Sequence, residues 1–356
     1  MKKSTKRLLT FAGLTAGAAA AATASAYVTT KYLVNTALDR EPPKIVKKAG
    51  DLIAGTQTDN AFLKAVDEAS AVLEARENET VSMTARDGVE LIAHYIPSKK
   101  SKRLIIAFHG WRSSWHKDFG TVADFWYENG CDALYVEQRG QNNSGGEYMG
   151  FGLTERYDCL DWINWAVERF GSDVIIYLAG VSMGATTVLM ASGLDLPQNV
   201  HGIFADCGFT SPKAIWRHVA EKNLHIGYGP IAALADAICK QKINFTTTEY
   251  STTDALKVNT NIPVMFVHGT DDHFVPIQMT YENYRACAAP KTLLVVPGAD
   301  HAMSHFVEPE RYEAAAKTFM EKYDKVTLKR AAAEPQANAA DVVDEAAEST
   351  EAAEQI

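Results

Sequence analysis

Val174-Ile175-Ile176-Tyr177-Leu178-Ala179 runs without a charge into Gly180-Val181-Ser182-Met183-Gly184, and Ala185 to Ser192 continues at once as a helical stretch. The first run is too short for a helix and too uniformly apolar for a strand with one wet face, so it reads as a strand buried on both sides. The small residues at 180 and 184 let the chain turn sharply from strand to helix, leaving the Ser182 hydroxyl exposed at the top of the sheet. The helix that starts there turns its amino-terminal end toward any negative charge developing at that hydroxyl. Ser182 is therefore the candidate nucleophile.

Further runs of the same kind lie on either side: Leu104 to Phe108, Ala133 to Val136, Ile203 to Ala205, Val264 to Val267 and Leu293 to Val296. Helical stretches near Phe119 to Glu128, Arg156 to Phe170 and Met279 to Ala286 separate them, which predicts parallel strands covered by helices on both faces. Val81 to Ile96 alternates around Asp87-Gly88, a hairpin turn dipeptide, so the sheet should begin with an antiparallel pair. The expected fold class is α/β, a mostly parallel eight-stranded sheet. Residues 207–261 exceed one crossover and should form a small helical cap over the strand ends.

A serine hydroxyl needs a base. Of ten histidines, His301 follows the last predicted strand within Pro297-Gly298-Ala299-Asp300-His301, where a loop can bring its ring over the strand ends. His305, four residues on, could pair with it as a helical metal site, but no third ligand is apparent. The base in turn needs a carboxylate. His268-Gly269-Thr270-Asp271-Asp272-His273-Phe274-Val275-Pro276 follows the penultimate strand. Counting from both of its ends favours Asp272, with Asp271 and Asp206 as the other contenders. For the oxyanion, Met183 supplies one backbone N–H, and Trp111, in His109-Gly110-Trp111 after the strand Leu104 to Phe108, supplies the second. His109 reads as a brace for that loop.

With these motifs, and with Arg139-Gly140, Ser144, Gly146 and Asp206-Cys207-Gly208-Phe209-Thr210-Ser211, the sequence resembles the α/β-hydrolase superfamily over about Val81 to Tyr323. Within it, the chain is most similar to bacterial serine hydrolases with an N-terminal anchor, related to the esterase and serine-aminopeptidase branches. The chain order Ser, Asp, His agrees with that family. Many relatives carry D-x-R-G-x-G-x-S where this chain has Glu137-Gln138-Arg139-Gly140-Gln141-Asn142-Asn143-Ser144. The resemblance implies a serine hydrolase, first a carboxylesterase, working without cofactor or metal on a small-molecule ester or acyl substrate. A peptidase, an acyltransferase and a catalytically silent binding protein are the other readings. Trp111, Trp115, Phe209, Trp216 and Phe274 fall on loops or in the cap, which suits an apolar or aromatic acyl group, or simply packs the cap onto the core.

The rest of the chain bounds this reading. A net charge of −9 with no basic block beyond the first residues gives no nucleic-acid track. Five scattered cysteines, Cys131, Cys159, Cys207, Cys239 and Cys287, form no CxxC pair and read as buried thiols. Lys2, Lys3, Lys6 and Arg7 precede an uncharged Ala-rich stretch, Leu8 to Thr30, with the layout of a secretion signal or a membrane anchor. Residues 1–38 are accordingly set apart from the fold, with a membrane as partner if uncleaved and an extracytoplasmic catalytic domain. Residues 39–60 read as a linker, 61–326 as the hydrolase domain and 327–356, Ala- and Glu-rich, as an acidic disordered tail.

Overall fold

A computed structural model of the chain describes residues 23–41 and 60–324. Its elements are α1 (23–38), α2 (Asn60–Glu74), β1 (Glu79–Thr84), β2 (Glu90–Ile96), β3 (Arg103–Phe108), α3 (Trp115–Phe119), α4 (Ala123–Glu128), β4 (Cys131–Val136) and α5 (Glu155–Phe170). Then come β5 (Ile176–Val181), α6 (Met183–Ala191), β6 (Val200–Asp206), α7 (Pro212–His218), α8 (Ala232–Ile243), α9 (Thr252–Val258), β7 (Val264–Gly269), α10 (Ile277–Ala286), β8 (Lys291–Val296), α11 (Ser304–Val307) and α12 (Pro309–Tyr323).

The eight strands form one sheet in the order β1-β2-β4-β3-β5-β6-β7-β8. β1 and β2 are antiparallel, β2 meets β4 antiparallel, and every later pair is parallel. Alternation along each inner strand explains why the runs look uniformly apolar. Leu104, Ile106 and Phe108 pack on one face with Trp162 of α5 and Val188 of α6. Ile105 and Ala107 pack on the other with Trp126 of α4 and Phe319 of α12. Both faces are core, so the middle of the strand is left to apolar side chains.

Strand order reverses around β3. The chain moves from β3 to β4 on one side and then to β5 on the other, and the loops leaving β3 and β5 diverge at their carboxyl ends. Phe108 pairs with Gly180, Gly180 with Ala205, and Ala205 with Phe266, so these strand ends are level. A crevice at such a point is where open α/β sheets hold their ligands.

Three boundaries differ from those expected. The helical stretch expected near Phe119 to Glu128 is α4, Ala123–Glu128, preceded by the separate short α3, Trp115–Phe119. The cap is smaller than 207–261: Ala255 and Leu256 of α9 are buried, Leu256 in the sheet-face core, so α9 is a crossover helix and the cap is built on α7 and α8. The largest correction concerns residues 23–40, set apart above as leader and linker but built into the domain. Val34 and Leu38 of α1 are buried among Phe151, Met183, Phe209 and Ile215. Asp39 bridges to Tyr148, and Arg40 N–H donates to Glu147 O. The reason is periodic: Thr30, Val34 and Leu38 fall on one helical face, and an alanine-rich helix has the same composition whether that face meets lipid or a protein core.

Among the described residues no helix is long and apolar enough to cross a membrane. The signal or anchor assignment for 1–22, the linker over 42–59 and the tail beyond 324 lie outside the described residues.

If α1 is part of the folded domain, Leu38→Ala, at a position 0% exposed, is expected to lower stability by about 2–5 kcal/mol. Val28→Ala, at a position 66% exposed, should change it by less than about 0.5 kcal/mol. Urea denaturation followed by circular dichroism separates the two; equal, small effects would return α1 to the leader.

Candidate active site

β5 delivers Ser182 at its carboxyl end with φ 54° and ψ −114°. A non-glycine residue holds this region only where its surroundings impose it. The Ser182 N–H donates to Asp206 O at 2.9 Å. A Cβ at Gly180 would lie 2.3 Å from the Gly184 backbone, and one at Gly184 would lie 1.8 Å from Phe108 O. The two glycines are thus required by backbone contact, and the spacing of the motif is the spacing of that contact.

His301 leaves the end of β8 and meets the serine: its Nε2 is 2.9 Å from Ser182 Oγ, and its Nδ1 is 2.8 Å from Asp272 Oδ2. In this network Nδ1–H donates to the carboxylate and Nε2 accepts from the hydroxyl. Asp272, in the loop after β7, is held from every side. Its Oδ1 accepts the N–H groups of Phe274 at 2.9 Å and Val275 at 2.7 Å, and its Oδ2 also faces His268 Nε2 at 3.0 Å. Asp271 is exposed and takes the Thr270 hydroxyl at 2.7 Å. Asp206 is buried and takes the Ser304 hydroxyl at 3.1 Å. Neither belongs to the chain that joins Ser182, His301 and Asp272.

The charges follow from these contacts. Burial works against ionising Asp272, but the His301 charge and the hydrogen bonds from His268 and His301 outweigh it and hold the carboxyl below its usual range. Burial also disfavours the His301 imidazolium, yet Asp272 beside it raises the pKa well above the ordinary histidine value. Cys207, at φ 48° directly after Asp206, lies with its sulfur within 4.8 Å of the Asp272 and His301 ligand atoms. Burial pushes that thiol up to about 11, so it stays protonated and apolar at neutral pH. Cys207, Asp272 and His301 could in principle share a metal ion. Both ring nitrogens of His301 are already engaged, however, and the thiol resists ionisation, so these residues do not make a prepared ligand set.

The loop after β3 lies directly against the serine: a Cβ on Gly110 would sit 3.4 Å from Ser182 Cβ. Gly110 N–H donates to Asp118 Oδ2 at 2.5 Å and Arg112 N–H to Gln141 Oε1 at 2.6 Å, which fixes the peptide segment around Trp111. His109 braces it, its Nε2 accepting Gln138 N–H at 3.1 Å and its Nδ1 donating to Gly110 O at 2.8 Å. Met183 is the first residue of α6, where backbone N–H groups have no acceptor within the helix. Asn142 stands where relatives have glycine and takes φ 49°, a conformation asparagine tolerates better than most residues. Arg139 is paired with Asp158 and, at 2.8 Å, with Asp87.

The aromatic residues divide. Trp115 and Phe209 are core: Trp115 stacks on His94 at 4.6 Å on the sheet face, away from the serine. Phe274 meets His301 edge-on at 5.0 Å. Trp111, Trp216 and Phe274 line an apolar cavity between α1 and the cap. Sequence reasoning singled out neither His268 nor Cys207 as part of the site. The available signal was position, since both stand at or just past the carboxyl end of a strand.

The family profile described as alpha/beta hydrolase fold matches residues 103–229. YqkD of Bacillus subtilis is 23% identical over 279 residues, 78% of this chain and 88% of its own length. YfhR of Escherichia coli K12 is 26% identical over 63% of this chain and 73% of its own. An esterase of Pyrococcus furiosus superimposes with a TM-score of 0.57 at 20% identity, covering 75% of this chain and 96% of that one. Est1E of Butyrivibrio proteoclasticus, solved with ferulic acid bound, does so with 0.51 at 20% identity, over 68% and 98%. Strand order and the strand–turn–helix geometry at Ser182 are those of the α/β-hydrolase fold, and the profile match covers the part of it from β3 into the cap.

Asp206 generates a stability prediction. Burial, opposed by His268, Ser304 and His301, pushes its carboxyl up to about 6. Between the unfolded value near 4 and that pKa the native chain holds a proton the unfolded chain has lost, so this group's contribution falls as pH rises through the window. Asp206→Asn is expected to gain on the order of 3 kcal/mol relative to wild type between pH 4 and pH 7. Urea titrations of both proteins at the two pH values check it; a pH-independent difference would contradict it.

Proposed function

We propose that the protein is a serine hydrolase of the carboxylesterase kind, acting on a small-molecule ester. The observation that carries this reading is the unbroken chain Ser182 Oγ, His301, Asp272 at 2.9 and 2.8 Å, ending on a carboxylate that His268 and two backbone amides also hold. His301 takes the Ser182 proton as the hydroxyl oxygen attacks the ester carbonyl. Asp272 fixes the tautomer that leaves Nε2 free to accept and stabilises the imidazolium. The N–H groups of Met183 and Trp111 hold the oxyanion, each worth about 3 kcal/mol. The imidazolium then protonates the departing alcohol, and a water activated by the same ring releases the acid from Ser182. The esterase among the fold neighbours supports the ester over the amide. The basic cluster Lys2 to Arg7 ahead of an uncharged stretch supports a secreted or membrane-anchored enzyme with its catalytic domain outside the cytoplasm.

The first test is a fluorophosphonate probe with p-nitrophenyl esters, on wild type beside Ser182→Ala. Labelling and turnover are both expected in wild type and lost in the variant, whereas a wild type that neither labels nor hydrolyses any ester ends this reading. The second test is pH dependence. Only neutral His301 can accept the proton, and Asp272 raises its pKa, so kcat/KM should rise with pH along a limb above about 6.5. Asp272→Asn should lower kcat on the order of 10³–10⁴-fold and move that limb to lower pH. A limb that stays in place would remove Asp272 from the role.

A further inference from the structure

The cavity beside the site has an unexpected wall. On one side stand Trp216, Val219 and Leu224 of the cap, at the base stand Trp111 and Phe274, and the remaining side is α1, through Leu33, Val34 and Ala37. The cavity lies next to the reacting groups, because two residues of its wall adjoin them: Phe274 packs edge-on against His301, and Trp111 follows Gly110, which lies against Ser182. Val34 and Leu38 belong to the apolar cluster that contains Met183 and Phe209. Leu33 belongs to a separate one, with Ala220, Tyr228 and Ile231. α1 therefore spans both clusters, and its cavity-lining stretch from Thr30 to Ala37 is about 10 Å long at 1.5 Å per residue.

Two details give the wall its chemistry and its rigidity. Thr30 and Thr36 also line the cavity, but their hydroxyls donate back along the helix, to Ala26 O at 2.7 Å and Tyr32 O at 2.9 Å. Both protons are spent within the helix, and α1 presents mainly hydrocarbon. Its carboxyl-terminal turn is tied to the loop beside the serine. Trp111 Nε1 donates to Ala37 O at 2.9 Å, and the Arg112 guanidinium donates to Thr36 O, Asp39 O and Arg40 O at 2.8, 2.6 and 3.1 Å. A cation on those terminal carbonyls is the favourable arrangement for a helix dipole.

We propose that α1 is the specificity wall of an acyl-binding pocket, so that the segment ahead of the hydrolase domain sets the length of aliphatic acyl chain the enzyme accepts, with Leu33, packed against the cap, as the residue that limits it. The proposal rests on the reading of Ser182 as an esterase nucleophile, and the experiment keeps the two apart. In the full-length chain, kcat/KM is measured on p-nitrophenyl butyrate and decanoate for wild type, Leu33→Trp and Leu33→Ala. Enlarging the side chain at Leu33 should lower the decanoate-to-butyrate ratio at least about tenfold, and shortening it should move the preferred chain length upward. Ratios equal to wild type in both folded variants overturn the proposal. Calorimetric binding of decanoate to Ser182→Ala, with and without Leu33→Trp, needs no turnover. At least about tenfold weaker binding in the double variant is expected, and equal binding overturns the proposal whether or not Ser182 labels with fluorophosphonate.

Discussion

The carbonyl oxygen of Phe108 stands 1.8 Å from where a Cβ of residue 184 would be. That contact brings the first turn of α6 against the end of β3. In doing so it forces the chain to reverse within the few residues from Gly180 to Gly184, and Ser182 is left in a left-handed conformation at the crest. The loop after β3 can approach the serine for the same reason, since it starts from the residue that α6 touches. A turn relaxed by even one side chain at 180 or 184 would separate the serine from the loop proposed to hold the oxyanion.

Around that turn the site is built by level strand ends. β5, β6, β7 and β8 deliver Ser182, Asp206 and Cys207, His268 to Asp272, and His301 to one edge of the sheet, although these residues are far apart along the chain. The resulting electrostatics are unequal. Asp272 is surrounded by four donors and keeps its charge, whereas Asp206, buried with fewer donors, has its carboxyl pushed up to about 6. Two acids at the same edge therefore titrate in opposite directions from the ordinary carboxyl value, because the His301 charge and the hydrogen bonds reach Asp272 more fully than Asp206. Cys207, in the same enclosure, remains a neutral thiol and fills space beside the imidazole.

Much of this was legible in the residues. The uninterrupted apolar runs announce strands covered on both faces, because only a parallel sheet between helices has no wet side. The glycine spacing around Ser182 announces the turn, because no other residue fits there. His301 and Asp272 are legible as candidates from their places after the last two strands. Less legible was everything that depends on which neighbour a surface meets. Trp115 and Trp111 look alike in the sequence, yet one is packed on the sheet and the other lines the cavity. Asn142, at a glycine position of the family pattern, reads as a departure, yet it takes a positive φ, which the pattern alone does not reveal.

The sequence by itself determined the architecture, the turn and the set of candidate reacting groups, since each follows from local periodicity, from steric demands at single positions, or from order along the chain. The tertiary structure alone decided that α1 belongs to the domain. An alanine-rich helix with Thr30, Val34 and Leu38 on one face carries no mark of what that face will touch. Its role as a cavity wall arises from contacts with Phe151, Trp111 and Arg112, more than 70 residues away along the chain. Long-range packing of this kind leaves no local pattern, because the energy of burying an apolar face is nearly independent of which apolar surface covers it.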